Sequence, residues 1–160
     1  MLQLLITADD FTGALDTGVQ FAKQGYPTRV ATANAPELPE NGAAQVLVAD
    51  TESRHVPQGE AYRRVFEWAK AARGAGVLLL YKKTDSTLRG NIGAELEAML
   101  RASGRETLVF VPAFPKLKRT VKGGVAFVDG GPLVETAFAK DPFNPVPCSE
   151  VAGIVSAGTS

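Results

Sequence analysis

The sequence predicts an α/β fold, with a mostly parallel sheet flanked by helices and a short β-hairpin near the C-terminus. Short apolar runs rich in Leu, Val and Ile alternate with longer segments in which apolar residues recur at helical spacing. Such alternation favours a parallel sheet whose faces are covered by the helices. After residue 111 the alternation stops, and two short apolar runs flank a Gly-rich turn, which is typical of a hairpin.

The apolar runs are typical of strands that are buried on both faces. They cover residues 2–7, 29–33, 45–49, 77–81 and 108–111. The hairpin strands are expected at residues 125–128 and 132–135, on either side of Asp129-Gly130-Gly131. We expect this hairpin to leave apolar side chains uncovered and to make the chain self-associate.

The segments between the strands can each bury one apolar stripe against the sheet. Their apolar positions are Leu15, Val19 and Ala22; Ala61, Val65, Trp68 and Ala72; and Ile92, Leu96, Met99 and Leu100. Asp10 or Thr12 can cap the first helix. Gly25, Gly74 and Gly104 follow the three segments, where a left-handed residue often ends a helix.

Composition limits the kinds of partner. The 160 residues are 45% hydrophobic, which suffices for one domain with a core. The 17 basic and 17 acidic residues balance, so no global field would hold nucleic acid or an acidic membrane surface. The N-terminal apolar run meets Asp9-Asp10 before it reaches signal-peptide or membrane-spanning length. Cys148 is the only cysteine and His55 the only histidine, so we expect no metal site. The single cysteine also favours a location in the reducing cytoplasm.

Two regions differ in their pattern. Residues 1–140 are expected to form one ligand-binding domain. Residues 141–160 are rich in Pro, Gly, Ala and Ser and show no amphipathic period, so a linker-like tail is expected there.

Polar residues follow the predicted strands at their carboxyl ends. The polar segments are residues 9–13, 50–54, 82–90 and 112–115. The carboxyl ends of parallel strands meet at one edge of the sheet, where open α/β folds bind their ligands. We therefore expect Asp10, Arg54, Lys83 and Asp85 to share one crevice.

Adjacent Asp9 and Asp10 point in different directions on extended backbone, so one should face the ligand while the other fixes the turn. A carboxylate facing the ligand can accept a hydroxyl hydrogen bond and act as a general base. The alternative is a helix cap and nothing more.

Residues 82–91 combine two Lys, one Arg, one Asp and several hydroxyls before a predicted helix. Backbone N–H groups, the helix dipole and the cations together favour a carboxylate or phosphate. The alternative is a solvated turn whose charges face water. Neither a Gly-x-x-x-x-Gly-Lys-Ser/Thr loop nor a Gly-x-Gly-x-x-Gly turn is present, so the sequence indicates an anion site without an evident ATP site.

Four motifs resemble the four-carbon acid sugar kinases, in that family's order. They are Ala8-Asp9-Asp10-Phe11-Thr12-Gly13-Ala14, Asp50-Thr51-Glu52-Ser53-Arg54, Lys83-Thr84-Asp85-Ser86-Thr87-Leu88-Arg89-Gly90-Asn91 and Pro112-Ala113-Phe114-Pro115. Gly123-Gly124-Val125 and Asp141-Pro142 look like the family's later hairpin and its exit. One departure is Lys118, which precedes Arg119-Thr120 where the family usually has Gly.

The resemblance implies an ATP-dependent kinase of threonate, erythronate or 3-oxo-tetronate. In this family an N-terminal domain binds the sugar acid and a C-terminal domain binds the nucleotide. Only the first domain is expected here, so ATP and Mg²⁺ would come through an absent C-terminal domain. The expected partner is therefore the sugar acid, together with a second copy of the chain or a separately encoded nucleotide-binding half.

The resemblance also implies site residues. Those for substrate binding are Asp9, Asp10, Arg54, Lys83, Thr84, Asp85, Ser86 and Arg89. Arg54 and Lys83 would hold the carboxylate, and Asp10 or Asp85 would orient the hydroxyl for attack on the γ-phosphate. Arg89 would either reach the ligand or support the loop from behind.

Two other function classes remain open. A phosphatase of the haloacid dehalogenase type also begins with acids after a strand, but it needs Asp-x-Asp, and the acids here are adjacent. The other class is a sugar-acid-binding module without catalysis.

Overall fold

The computed structural model describes residues 1–32, 35–40 and 42–159. Four strands form the main sheet: β1 (Leu4–Ala8), β2 (Thr28–Ala31), β3 (Val46–Asp50) and β4 (Leu79–Lys83). All are parallel and lie in the order β2-β3-β1-β4. The expected α/β fold with a mostly parallel sheet is thereby confirmed.

Three helices connect and cover this sheet: α1 (Phe11–Lys23), α2 (Gln58–Gly74) and α3 (Ile92–Ser103). On one face Ile6 and Val48 pack with Ala14 of α1. On the other face Leu5 and Leu47 pack with Trp68 of α2. Burial of this apolar surface, at about 25 cal/mol per Å², is the main favourable contribution to folding.

The chain leaves the two central strands in opposite directions. From β1 it passes through α1 to β2 at one side of the sheet, and from β3 it passes through α2 to β4 at the other side. Because α1 and α2 lie on opposite faces, the loops after β1 and β3 lead toward opposite faces of the sheet. This topological switch point is where open parallel sheets bind their ligands.

A second, antiparallel sheet follows α3. It contains β5 (Arg119–Lys122), β6 (Val125–Val128) and β7 (Gly131–Pro132), in that order. Gly123 and Gly124 join β5 to β6 with positive φ angles of 57° and 80°, the region that two-residue hairpin turns favour. The sequence prediction placed the hairpin at β6 and residues 132–135, so it missed β5. Residues Leu133–Glu135 instead form a 3₁₀ turn.

The tail differs from the expected linker. Val151–Ser156 form a short helix, α4, and Val146 and Ile154 are buried together with Ile92 and Leu96 of α3. The tail lacks a long amphipathic period because it buries single side chains from short turns and not one helical stripe. Ser160 lies outside the described residues.

Two strand predictions need correction. Residues 108–111 belong to neither sheet; Leu108 and Phe110 pack against the core while Val109 and Val111 are exposed. Strand β4 is not buried on both faces, since Leu79 is 61% exposed. The predicted second strand, 29–33, ends at Ala31 in the structure, and Ala33 lies outside the described residues.

Helix ends follow the predicted chemistry with one exception. Asp10 caps α1, and Gly25 and Gly104 have left-handed φ angles of 85° and 64°. Gly74, however, is the last residue of α2, and Gly76 takes the left-handed conformation with φ 81°. The helix therefore includes Gly74. The carbonyl of Arg73 at its end accepts a hydrogen bond from the Gly76 N–H at 2.9 Å, so the left-handed residue that ends the helix lies two positions later than predicted.

Apolar exposure is concentrated beside β4 and not at the hairpin. Leu133 is fully buried, whereas Leu79, Tyr81, Val109 and Val111 are at least half exposed. An exposed apolar edge strand is a surface on which soluble proteins associate. The uncovered apolar surface that was expected at the hairpin therefore lies mainly at the outer edge of the main sheet, beside β4.

We predict that the chain self-associates through the β4 edge. Leu79→Lys should shift the chain toward monomer, because a charge on an edge strand opposes edge-to-edge pairing. Sedimentation velocity over a concentration series measures the change, and thermal unfolding verifies that the variant folds.

Val134→Lys is the matched control, since Val134 is also exposed but lies in the hairpin region. If only Val134→Lys dissociates the chain, the hairpin is the contact surface. A wild-type chain that stays monomeric at high concentration contradicts both assignments.

Candidate functional site

Arg54 joins the two loops that diverge at the switch point. Its Nε lies 2.7 Å from Asp9 Oδ2 and its Nη1 lies 2.8 Å from Asp10 Oδ2. The backbone supports the same junction, since the N–H groups of Ser53 and Arg54 donate to Asp9 O at 3.0 and 3.2 Å. The loop after β3 is therefore held against the loop after β1 by side chains and backbone together.

The Arg54 guanidinium stays charged in this position. Burial alone lowers its pKa, but the hydrogen bond that it donates to Asp9 and the charges of Asp9, Asp85 and Asp10 outweigh burial and raise the pKa above its usual range. A buried arginine with paired carboxylates is a strong, oriented set of N–H donors.

The two adjacent aspartates have different environments. Asp10 caps α1, with its Oδ1 accepting from the Gly13 N–H at 2.9 Å. Asp9 is 2% exposed, and its Oδ1 has no hydrogen-bond partner among the described residues. As the sequence predicted, one of the two carboxylates fixes the turn, and it is Asp10. The carboxylate oxygen that a ligand donor could satisfy belongs to Asp9.

Lys83 and Thr84 lie at the end of β4, beside α1. Lys83 Nζ donates to Thr84 O at 2.8 Å, and it lies 3.2 Å from the point where a Cβ on Gly13 would stand. Gly13 therefore leaves room for the ammonium beside the α1 N-terminus. The structure thus brings Asp9, Asp10, Arg54 and Lys83 together at the carboxyl ends of three strands.

Residues 82–91, where the sequence predicted an anion site, form the anion loop. Asp85 and Arg89 form a second ion pair within this loop. Arg89 Nε lies 2.6 Å from Asp85 Oδ2, and its Nη1 lies 3.1 Å from Asp141 Oδ2. Burial raises the pKa of Asp85, but hydrogen bonds from Arg89 and Thr87 and the charges of Arg89 and Arg54 outweigh burial and lower it. Arg89 is engaged by two carboxylates, which is the arrangement expected of a residue that supports the loop.

Ser86 faces a different neighbour from the other site residues. Its hydroxyl accepts a hydrogen bond from Arg119 Nη1, and Arg119 and Arg89 both lie over the Phe138 ring. Arg119 follows the departure at Lys118, which adopts a left-handed φ of 52° at the end of a 3₁₀ turn. A position with that φ suits Gly, so Lys118 strains the backbone here without blocking the turn.

Gly90 and Asn91 fasten the anion loop to the loop after β3. Gly90 has φ 88°, and a Cβ there would stand 2.9 Å from Arg54 Cγ and 3.3 Å from Arg54 Cα. Asn91 Nδ2 donates to Ser53 O and Val56 O, both at 2.9 Å. Close approach at Gly90 therefore sets the position of Arg54.

Sequence reasoning missed the polar residues beneath the site: Thr51, Ser53, Lys82 and Glu95. For Lys82 and Glu95 the sequence did contain a signal. Lys82 has the same strand parity as Leu80, which faces the helical core, and Glu95 lies on the apolar stripe of α3 between Ile92 and Met99. Opposite charges at two core-facing positions predict a buried ion pair.

None of the helices within residues 1–32, 35–40 and 42–159 has the length and hydrophobicity needed to span a bilayer. The same residues also contain no group of three or more His, Cys, Asp or Glu side chains that could hold a metal ion.

Comparison with known proteins identifies the family. Residues 4–160 match the family model described as a sugar-binding N-terminal domain. The chain is 44% identical to D-threonate kinase of Salmonella typhimurium, covering 97% of this chain and 36% of that protein. It is 45% identical to D-erythronate kinase of Heliobacterium modesticaldum, with 98% and 36% covered. The chain thus spans just over a third of the length of these relatives.

Solved structures agree with the fold. A domain of unknown function from Bordetella bronchiseptica, crystallised with bound citrate as a domain-swapped dimer, superposes with a TM-score of 0.88 at 38% identity, covering 96% of this chain and 39% of that chain. The resemblance to four-carbon acid sugar kinases is confirmed. The chain therefore belongs to the sugar-binding N-terminal domain family, and the relatives that it matches are D-threonate, D-erythronate and 3-oxo-tetronate kinases.

Proposed function

We propose that this chain forms the sugar-acid-binding half of an ATP-dependent kinase that phosphorylates a four-carbon sugar acid. The observation that carries the proposal is the mixed-charge cluster in which Arg54 and Lys83 lie beside Asp9 and Asp10. A sugar acid has one carboxylate and several hydroxyls, so it needs cationic donors and carboxylate acceptors in the same site. The names of the relatives support the same substrate class.

Arg54 and Lys83 would bind the ligand carboxylate. Asp9 and Asp10 contact Arg54 through Nε and Nη1, so Nη2 is the nitrogen available to a ligand. Lys83 supplies a point charge from the neighbouring strand. Thr84 and Ser86 would add hydroxyls, while Arg89 would keep the loop in place through Asp85 and Asp141.

The aspartates would bind and orient the hydroxyls. Asp9 offers its unpartnered Oδ1 to one ligand hydroxyl, and Asp10 or Asp85 would orient the hydroxyl that is phosphorylated. The pKa of Asp85 is lowered, so its carboxylate is a weak base and would orient the hydroxyl more than remove its proton. Positioning is the main requirement, since phosphoryl transfer has a loose transition state.

ATP and Mg²⁺ do not fit the residues of this chain. The described residues hold no cluster for a metal ion, and the sequence has no phosphate-loop motif. We therefore assign both groups to a nucleotide-binding domain of the kind expected in the longer relatives. We also propose a cytoplasmic location, which is consistent with the single cysteine of the sequence.

We predict that the chain alone binds D-threonate or D-erythronate and does not hydrolyse ATP. Calorimetric titration and a coupled ATPase assay test the two parts. Threitol, which lacks the carboxylate, should bind more weakly because it cannot pair with Arg54 or Lys83. ATP hydrolysis that rises with added sugar acid would contradict the assignment of the nucleotide to another domain.

Lys83→Met should weaken binding of the sugar acid about tenfold or more, because a hydrogen bond to a charged group contributes about 1.5–3 kcal/mol. The melting temperature should change little, since the hydrogen bond that the Lys83 ammonium donates goes to the backbone carbonyl of the adjacent Thr84. Lys122→Met is the control, as it removes the same charge from exposed strand β5. Equal affinity of the two variants would exclude Lys83 from the site.

Gly90→Ala should lower both stability and affinity. A side chain at φ 88° destabilises by about 1–2 kcal/mol, and the new Cβ would displace Arg54. Gly130→Ala separates the two effects, because Gly130 has φ 87° but a Cβ there would meet nothing within 4 Å. Both variants should melt earlier, and only Gly90→Ala should bind the sugar acid more weakly.

A further inference from the structure

A fully buried ion pair lies directly beneath the candidate site. Lys82 Nζ is 2.9 Å from Glu95 Oε2, and the side chains are 2% and 0% exposed. Burial raises the pKa of Glu95, and the nearby Lys82 charge offsets part of that effect. The ammonium and carboxylate are thus removed from water between β4 and α3.

The pair is connected to each strand end that carries a site residue. Lys82 Nζ donates to Lys83 O at 2.6 Å and contacts Thr7 O at 3.4 Å. The Ser53 hydroxyl lies between Glu95 Oε1 and Thr51 Oγ1, 2.7 Å from the latter, and has one hydrogen to donate to either of them. Thr51 Oγ1 in turn donates to Ala8 O at 2.7 Å.

Each end of this network is next to a residue of the site. Ala8 precedes Asp9, Ser53 precedes Arg54, and Lys82 precedes Lys83. One buried network thereby links the carboxyl ends of β1, β3 and β4 to the first turn of α3. A shift of either charge would move the backbone from which the ligand-binding side chains project.

Stability alone does not explain such a pair. Removing two charges from water is unfavourable, and apolar residues of similar volume are often as stable or more stable in the same place. The surrounding core is apolar, with Val65, Ala98 and Met99 between α2 and α3. A buried ion pair does differ from apolar packing in one respect, because it fixes the direction of hydrogen bonds at its ends.

We propose that Lys82 and Glu95 are positioning residues, which hold the ends of β1, β3 and β4 in the arrangement that binds the sugar acid. They touch no ligand themselves and act through Ser53, Thr51 and the backbone of Lys83. This assignment rests on the proposed function of the site.

The test is the double variant Lys82→Met with Glu95→Gln. It removes both charges and leaves neither one buried alone, while Gln keeps an acceptor for Ser53. We expect its melting temperature to stay within a few degrees of wild type and its affinity for D-threonate or D-erythronate to fall about tenfold or more. The single variants should lose stability, because each leaves one unpaired buried charge.

The matched control is the double variant Arg63→Met with Glu67→Gln, which neutralises an exposed ion pair on α2. It should bind like wild type. Ser53→Ala supplies a milder test, because it breaks the link between Glu95 and Thr51 without changing any charge. It should bind several-fold more weakly at an unchanged melting temperature.

The outcomes are distinguishable. A wild-type chain that binds neither acid overturns the proposed function and the positioning role with it. If wild type binds and the Lys82/Glu95 double variant binds equally well, the positioning role alone is wrong. If that double variant fails to fold, or if Ser53→Ala binds like wild type, the pair is structural and the proposal falls.

Discussion

The contact of Arg54 with Asp9 and Asp10 is the interaction on which the site depends. The two central strands send the chain to opposite faces of the sheet, so their loops separate unless something joins them. One guanidinium joins them with two short ion pairs. Because the aspartates lie at the start of α1 and Arg54 precedes α2, the same contact also relates the two helices across the sheet.

Opposite charges alternate around this point and balance one another. Arg54, Lys83 and Arg89 are cationic, and Asp9, Asp10 and Asp85 are anionic. A purely cationic site would bind an anion more strongly but would offer no acceptors to the hydroxyl groups of a polyhydroxy acid. The balance costs attraction for simple anions and favours a ligand that carries both kinds of group.

Much of this arrangement was predictable from the sequence, because the carboxyl ends of parallel strands have a fixed geometric relation. That rule placed Asp10, Arg54 and Lys83 near one another without any prediction of the order of the strands in the sheet. The sequence left open whether Asp10 or Thr12 caps α1, since both carry a side-chain oxygen at the start of the helix. Residues 108–111 were misassigned because a strand also requires a hydrogen-bonding neighbour, and β-propensity within a short run carries no information about one. The core-facing positions of Lys82 and Glu95 were readable from the sequence, but each residue's partner was not, because the pair depends on a contact between a strand and a helix.

The contact between Arg89 and Asp141 gives the anion loop a fixed conformation before any ligand arrives. Asp141 belongs to the tail, and its own carboxylate also accepts from the backbone N–H groups of Phe143 and Asn144. The loop therefore loses its conformational entropy when the chain folds and not when it binds a ligand. Preorganisation of this kind lets association proceed without a slow ordering step, so the on-rate for a small acid should be set by diffusion and charge.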